Sequence, residues 1–303
     1  MARSRIPSTL HAAALVLAAG LAACSTAQRR STEKKLADVL VPREQEQQLG
    51  LQVKQELEQK QKIQYVEDPQ INAYVKGITD KVLAFAKKDR SDVTWTVRVI
   101  NDPKTVNAFA TPGGYLYVYS GLLLAADNSA ELAGVLGHEA GHVVARHSAR
   151  QMVNAFGLET LASIAAGKNP GAASQLAAAV AGKGAMLSFS RADETEADEY
   201  GARYASAAGY DPHGIATFFE KLVKSEGKQP GWAAMLSDHP ATPDRIQHVD
   251  QFIAEHHLTG KGGTSGTEIA AVKTRLKSIP PPRETQQAEA PQGGAGTGAG
   301  GNK

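Results

Sequence analysis

Five consecutive residues, His138-Glu139-Ala140-Gly141-His142, have the spacing of an H-E-x-x-H motif. On a helix, residues four apart lie one turn apart on one face, so two imidazoles placed this way can grip one metal ion. Zinc accepts neutral imidazole readily. Glu139 projects close to that face and can take a proton from a water that the ion has made more acidic. A catalytic zinc usually has three protein ligands and one open position. Candidates for the third crowd the start of a later helix, at Glu194, Glu196, Asp198 and Glu199. An acidic first turn also arises simply because the helix dipole favours negative charge there, so spacing alone leaves the ligand open. Glu194 and Asp198 are four apart and share a face. One carboxylate could reach the metal while the other holds a ligand imidazole by a hydrogen bond.

These groups need a helix beneath them. Asp127, Asn128 and Ser129 offer caps, and Glu131 puts a negative charge in the first turn. Leu132, Val135, Leu136, Val143 and Val144 form the apolar set. The pattern predicts one helix over residues 129–150, with Arg146 and Arg150 near its C-terminal end, where the dipole favours cations. Gly137 and Gly141 cost about 1 kcal/mol each in a helix relative to Ala. They predict a close neighbour, either another backbone or the metal site. His147 is five residues past His142, off the ligand face, and reads as a surface or capping histidine.

The remaining chain reads as α+β, mainly helical, with a small sheet beside the motif helix. Residues 43–62 form a surface helix with Leu49, Val53 and Leu57 inward. Asp68-Pro69 starts a second helix with Ile71, Val75, Ile78, Val82 and Phe85 on one stripe. Residues 93–100 alternate and are β-branched, which predicts a strand. Pro112-Gly113-Gly114 is a turn between two further extended pieces, at 107–111 and 115–119. In the latter, Tyr115, Tyr117 and Tyr119 share one face, and Leu116 and Val118 the other. Residues 151–187 predict two Ala-rich helices broken at 167–171. A helix from Ser190 to about Ala208 ends at Gly209. Another follows Tyr210-Asp211-Pro212, and a last one carries Ile246, Val249 and Ile253.

Composition places the chain among globular proteins. Its 303 residues are 42% hydrophobic, and the formal charge of +2 equals the contribution of Arg3 and Arg5 alone. A near-neutral chain gives no electrostatic case for nucleic acid. The apolar run from Leu10 to Ala23 is short for a membrane span. It ends in Leu21-Ala22-Ala23-Cys24, which resembles the lipoprotein box of bacteria. A lone cysteine excludes a disulfide framework. The resemblance implies lipidation of Cys24, a lipid anchor in the membrane, and a periplasm-facing position, with Ser25 pointing to the outer membrane. The expected organisation is a signal peptide at 1–23, a tether at 24–42, a catalytic domain at 43–258 and a low-complexity tail at 259–303. That tail is expected to be mostly disordered, with a short helix at 268–276.

Four ordered segments together resemble a known family. They are Asn107-Ala108-Phe109-Ala110 with the following Gly113-Gly114 and Tyr117-Val118-Tyr119-Ser120-Gly121-Leu122, the H-E-x-x-H motif, Ser190-Arg191-x-x-Glu194-x-x-Ala197-Asp198, and Asp238-His239-Pro240 with Arg245. They are similar to the HtpX and CAAX-prenyl-protease family of zinc metallopeptidases, a gluzincin group, and within it to the periplasmic, LoiP-like lipoprotein branch. The resemblance implies a zincin-type domain and one zinc ion held by His138, His142 and Glu194. It makes Glu139 the general base and Asp198 the partner of a ligand histidine. It implies that His239 approaches the zinc or faces the reacting carbonyl, with Arg245 orienting that segment. The substrates it implies are unfolded or misassembled envelope polypeptides, bound in extended form near Asn107, Gly113, Gly114 and Tyr115. An assembly adaptor with a self-inhibited zinc site is the alternative.

Overall fold

The computed structural model describes residues 42–59, 63–181, 189–225 and 230–280, together with Pro282. The signal peptide, Cys24, most of the tether and the chain beyond Pro282 lie outside the described residues. Helices α1 (Arg43–Gln59) and α2 (Pro69–Asp89) precede three strands, β1 (Thr96–Ile100), β2 (Ala108–Thr111) and β3 (Tyr115–Tyr119). Then follow α3 (Ser120–Ala125), α4 (Ser129–Val144), α5 (His147–Phe156), α6 (Leu158–Ala165) and α7 (Pro170–Ala181). The chain continues through α8 (Arg191–Ala207), α9 (Gly214–Ser225), α10 (Ala233–Asp238), α11 (Pro243–Glu255) and α12 (Thr267–Lys277). The domain is mainly helical α+β, as its sequence predicts. Among the described residues, no helix is long and apolar enough to cross a membrane.

The sheet has the order β1-β3-β2, with β1 parallel and β2 antiparallel to β3. Its two faces pack against different helices. Leu116, Val118, Ala108, Ala110 and Val99 join the main core with α2, α4, α8, α9 and α11. Tyr117, Tyr119, Phe109 and Ile100 join a second core with Leu49, Val53 and Leu57 of α1, Leu161 and Ile164 of α6, and Leu176 of α7. Two-residue alternation thus sends the tyrosine face and the aliphatic face to opposite layers. The first strand is shorter than the predicted 93–100. Its ladder with β3 starts at Thr96↔Tyr115, because the partner chain turns away at Gly113-Gly114.

Three expectations are corrected. The predicted helix over 129–150 ends at Val144, because Arg146 adopts left-handed φ 61° and its buried side chain donates to Glu46 of α1 at 2.8 Å. Arg146 therefore neutralises a buried carboxylate rather than a helix terminus. Residues 147–181 form three helices, not two, since Gly157 at φ 78° separates α5 from α6. The domain also extends past 258. Gly260 and Gly262 approach the backbone of Gly209 and Tyr210, and Gly263 O accepts from Ala130 N at 2.9 Å, satisfying a donor at the start of α4. Helix α12 then buries Ile269, Val272 and Leu276. Low complexity at 259–266 reflects tight backbone packing, for which glycine leaves room.

Replacing Ile269 with Ala should cost about 2–5 kcal/mol, the range for truncating a buried aliphatic chain, read as a lower urea midpoint. Helix α12 is also tied to α2 by Arg275, which holds the Asp68 carboxyl from its usual 3.8 down to about 2 by hydrogen bonding. A depressed carboxylate pKa contributes stability above the unfolded value and loses it as pH falls. The stability gap between the wild-type and Arg275→Gln chains should therefore close between 3.8 and about 2. A constant gap in urea titrations would mean that Arg275 acts by packing alone.

Candidate metal centre

Helix α4 is buried along its whole length. Its N-terminus is capped by Asn128, whose side chain accepts from Glu131 N at 3.0 Å. The close neighbour that Gly137 and Gly141 predict is the backbone of α8. A Cβ on Gly137 would lie 3.0 Å from Gly201 Cα, and one on Gly141 would lie 3.1 Å from the Ala197 carbonyl oxygen. A Cβ on Gly201 would in return lie 3.2 Å from His138 N. Helix α8 begins in a capping box in which Ser190 and Asp193 exchange hydrogen bonds. The next carboxylates on its inner face, Glu194 and Asp198, then meet the two motif histidines.

The side chains converge tightly. His138 Nε2 and His142 Nε2 are 3.0 Å apart. Glu194 Oε2 is 3.6 Å from His138 Nε2, and its Oε1 is 3.5 Å from His142 Nε2. His239, just past α10, places Nδ1 3.2 Å from His138 Nε2 and 3.0 Å from Glu194 Oε1, with Nε2 3.3 Å from Glu139 Oε1. Asp198 Oδ1 accepts from His138 Nδ1 at 2.9 Å and is itself held by Arg245 at 2.7 Å. Arg245 also donates to the Pro240 carbonyl at 2.8 Å, so one guanidinium ties α8 to the segment carrying His239. These side chains are almost wholly buried.

Burial sets their electrostatics. It lowers the pKa of His138, and lowers that of His142 well below the ordinary imidazole value, so both rings are neutral. It pushes the Glu139 carboxyl up to about 8, with further help from the charges of Glu194 and Asp238, against opposition from His239 and the Ala110 N–H. Burial would raise Glu194 too, but His239 and hydrogen bonds from His142 and His239 hold it well below the carboxylate range. Burial disfavours the charged form of His239, but Glu194 and Glu139 outweigh it and hold the ring up to about 9.

The other predicted positions lie at different depths. Asn107 is buried and donates to Asp238 Oδ2 at 2.8 Å, linking the edge strand to the residue before His239. Gly113 and Gly114 take φ of 82° and 86° in the β2–β3 turn and are buried against Gln47 of α1 and Val93. Tyr115 opens the central strand and is half-buried. Three further residues at the centre have no site role in the sequence reading. Asp238 is buried, with burial raising its pKa. Phe189 stacks on His142 with ring centroids 3.9 Å apart. His147 is a correction: it is 1% exposed, and its Nδ1 lies 3.0 Å from His142 Nδ1. The left-handed break at Arg146 turns it back to the site, where an unbroken helix would carry it away. Adjacency to His239 marks Asp238 in the sequence; nothing local marks the other two.

The donor set suits a metal ion. His138, His142, Glu194 and His239 each offer a ligand atom, all within 4.8 Å of one another. The carboxylate on His138 Nδ1 leaves its Nε2 as a bare lone pair. Glu139 Oε1 is buried with no well-directed hydrogen-bond donor, His239 Nε2 lying 3.3 Å away. Glu194 Oε2 likewise lacks a well-directed one, although Arg245 Nη1 forms an ion pair with it at 2.8 Å. Buried, inward-facing acceptors of this kind are costly unless a cation meets them.

Two neutral imidazoles and Glu139 on an H-E-x-x-H helix, met by a carboxylate from a second helix, define a metallopeptidase centre. The chain belongs to peptidase family M48, whose model matches residues 72–253, more than half of its length. It is 35% identical over 182 residues to the mitochondrial metalloendopeptidase OMA1 of Schizosaccharomyces pombe, covering 60% of this chain and 53% of that protein. It is 41% identical over 151 residues to the metalloprotease LoiP of Escherichia coli, covering 48% and 58%. It is 33% identical over 192 residues to the β-barrel assembly-enhancing protease of Yersinia pestis, covering 59% and 38%. The chain thus spans about half the length of the first two relatives and less of the third.

A β-branched side chain at Gly137 has no room. Gly137→Val should cost about 1–3 kcal/mol by overpacking and lower bound metal, as read by thermal melting and metal analysis. The control is Gly77→Ala on α2, where a Cβ meets nothing within 4 Å. It should stabilise the chain by about 0.5–1 kcal/mol through helix propensity and leave metal content unchanged.

Proposed function

We propose that this chain is a zinc-dependent endopeptidase, anchored by lipid at Cys24 in the bacterial envelope, that cleaves unfolded or misassembled envelope polypeptides. The observation that carries the reading is the convergence of His138, His142 and Glu194 beside Glu139 on a buried helix pair. Two neutral imidazoles and one carboxylate are the donor set of many catalytic zinc sites. The lipoprotein box supports the anchor. The name of the Yersinia relative, which joins a protease to β-barrel assembly, supports envelope proteins as the substrate class.

Zinc bound here would polarise the scissile carbonyl and bring the pKa of the attacking water toward neutrality. The chain supplies the proton traffic and the positioning. Glu139, with its proton affinity raised by burial, takes a proton from the water and returns it to the leaving amine. His239, protonated between two carboxylates, is the donor available to a developing oxyanion. Asp198 holds His138 in one tautomer, and Arg245 holds Asp198. A substrate strand adds along β2, the edge of the sheet, between Asn107 and the turn at Gly113, Gly114 and Tyr115. The outward N–H of Ala110 is bonded to Glu139, and its carbonyl accepts from Ser148 Oγ at 3.3 Å. This edge therefore runs beside the base, and a pairing substrate would exchange its own main chain for the bonds Ala110 makes to Glu139 and Ser148; main-chain pairing suits unfolded chains of varied sequence.

One observation favours a second reading. His239 sits among the ligand atoms, 3.2 Å from His138 Nε2 and 3.3 Å from Glu139 Oε1, and fills the space a substrate carbonyl needs. In that reading the protein is an assembly adaptor with a self-inhibited zinc site.

Glu139→Gln should keep its zinc and lose cleavage of an unfolded casein substrate by about three orders of magnitude or more, the scale of losing a general base together with its charge. Undiminished cleavage would remove Glu139 from the reaction. If the same variant rescues envelope defects in cells, the adaptor reading stands instead. Glu194→Ala should lower zinc stoichiometry measured after dialysis, and unchanged stoichiometry would remove it from the ligand set.

A further inference from the structure

We propose that His147 is a positioning residue for His142. Its Nδ1 accepts the proton on His142 Nδ1 and so presents His142 Nε2 to the metal as a lone pair. The inference rests on the reading of His142 as a ligand and adds what that ligand needs behind it.

The argument is a proton inventory. A neutral imidazole carries one N–H, and a ligand nitrogen cannot be the one that carries it. For His138 the inventory closes on Asp198, which can only accept and lies 2.9 Å from Nδ1. Among the described residues, no carboxylate lies on His142 Nδ1. The atom there is His147 Nδ1, at 3.0 Å, with the two rings edge to face at 73°. When His142 binds through Nε2, its proton sits on Nδ1 and needs an acceptor. His147 provides one only if its own proton is on Nε2. That atom lies 3.4 Å from Glu196 Oε2 and 3.4 Å from Asp193 Oδ1, two carboxylates of the first turns of α8. Each imidazole then carries one proton, each N–H faces an acceptor, and the free lone pair is delivered to the metal side. Arg150 holds Asp193 at 2.7 Å, so the carboxylate end of the chain is itself fixed.

The fold makes this arrangement deliberately. His147 is 1% exposed and could not reach His142 from a continuous helix, where residues five apart diverge. The left-handed residue Arg146, φ 61°, turns the chain and brings the ring back. That conformation is unfavourable for a non-glycine residue and is held by the buried contact with Glu46. The two motif histidines are thus oriented by different chemistry: a carboxylate with an arginine behind it for His138, and a second imidazole with carboxylates behind it for His142.

The experiment measures zinc affinity of the full chain by competition with a chromophoric chelator, with the thermal midpoint of the zinc-free chain as the folding control. The Leu of His147→Leu and the Asn of His147→Asn share the same heavy-atom count and branching at Cγ, but only Asn places an acceptor oxygen near the former Nδ1. Leu should weaken zinc binding about 10–100-fold, the cost of losing such a partner, while Asn stays within about threefold of wild type. Wild-type affinity in the Leu variant, or equal losses in both, would overturn the proposal. Should the Leu variant fail to fold, His147→Ala against His147→Asn asks the same question, and equal affinities count against it. His142→Ala separates the two levels. If it retains zinc fully, His142 is no ligand and the inference fails with that reading. If it loses zinc while His147→Leu does not, only the inference fails.

Discussion

The centre depends on how closely α4 and α8 approach. Gly137 and Gly141 on one helix face Gly201 and Ala197 on the other, with distances near 3 Å for any added Cβ. This separation is smaller than ordinary side chains allow, since helix axes usually sit 8–10 Å apart depending on the residues between them. Because the backbones touch, the short carboxylate of Asp198 reaches His138 Nδ1, and Glu194 reaches both Nε2 atoms. The penalty of about 1 kcal/mol for each helical glycine is offset by a helix pair that places four functional groups from two segments more than fifty residues apart in sequence.

The second constraint is charge without water. Glu139, Glu194, Asp198 and Arg245 are all buried around three imidazoles. Isolated, each such charge would be expensive, and a buried ion pair often gains little net stability. Such a network serves geometry. Arg245 satisfies Asp198, Glu194 and the Pro240 carbonyl with one rigid fork, and its face lies 4.5 Å from the Phe219 ring centre. The same logic recurs at the C-terminal end of α4, where Arg90 and Arg146 both reach Glu46 and Arg90 also donates to the Val143 carbonyl. The helix is thus held by buried arginines at its C-terminal end and, through Asp198, at His138, while its N-terminal donors are met by Asn128 and by Gly263 O.

The sheet joins the site to the rest of the molecule. Its aliphatic face lies on the catalytic helices and its aromatic face on α1, α6 and α7, with Phe109 and Tyr117 stacked at 4.8 Å. The edge strand β2 touches both Glu139, through Ala110, and the His239 segment, through Asn107 and Asp238. If, as proposed, a polypeptide pairs with this edge, it would meet Glu139 and His239 together.

The sequence by itself determined what local chemistry and periodicity can determine. It placed the H-E-x-x-H residues on a helix, because capping, apolar spacing and the motif agree over one short stretch. It marked the two glycines as a place of close contact, and it separated the two faces of β3 by alternation. It narrowed the third ligand to one acidic turn, and resemblance singled out Glu194. Tertiary structure decided what depends on segments distant in the chain. The break at Arg146 exists because Glu46, one hundred residues earlier, holds the guanidinium. A helix-period reading of 129–150 contains no trace of that partner. His147 therefore looked peripheral and is instead the group behind His142. The glycine-rich stretch after 258 looked like tail, yet it closes on Tyr210 and the start of α4, since backbone hydrogen bonds across the fold leave no hydrophobic pattern to read. Local sequence specifies which residues can do chemistry; the distances between them are set by packing and buried charge, which only the assembled chain defines.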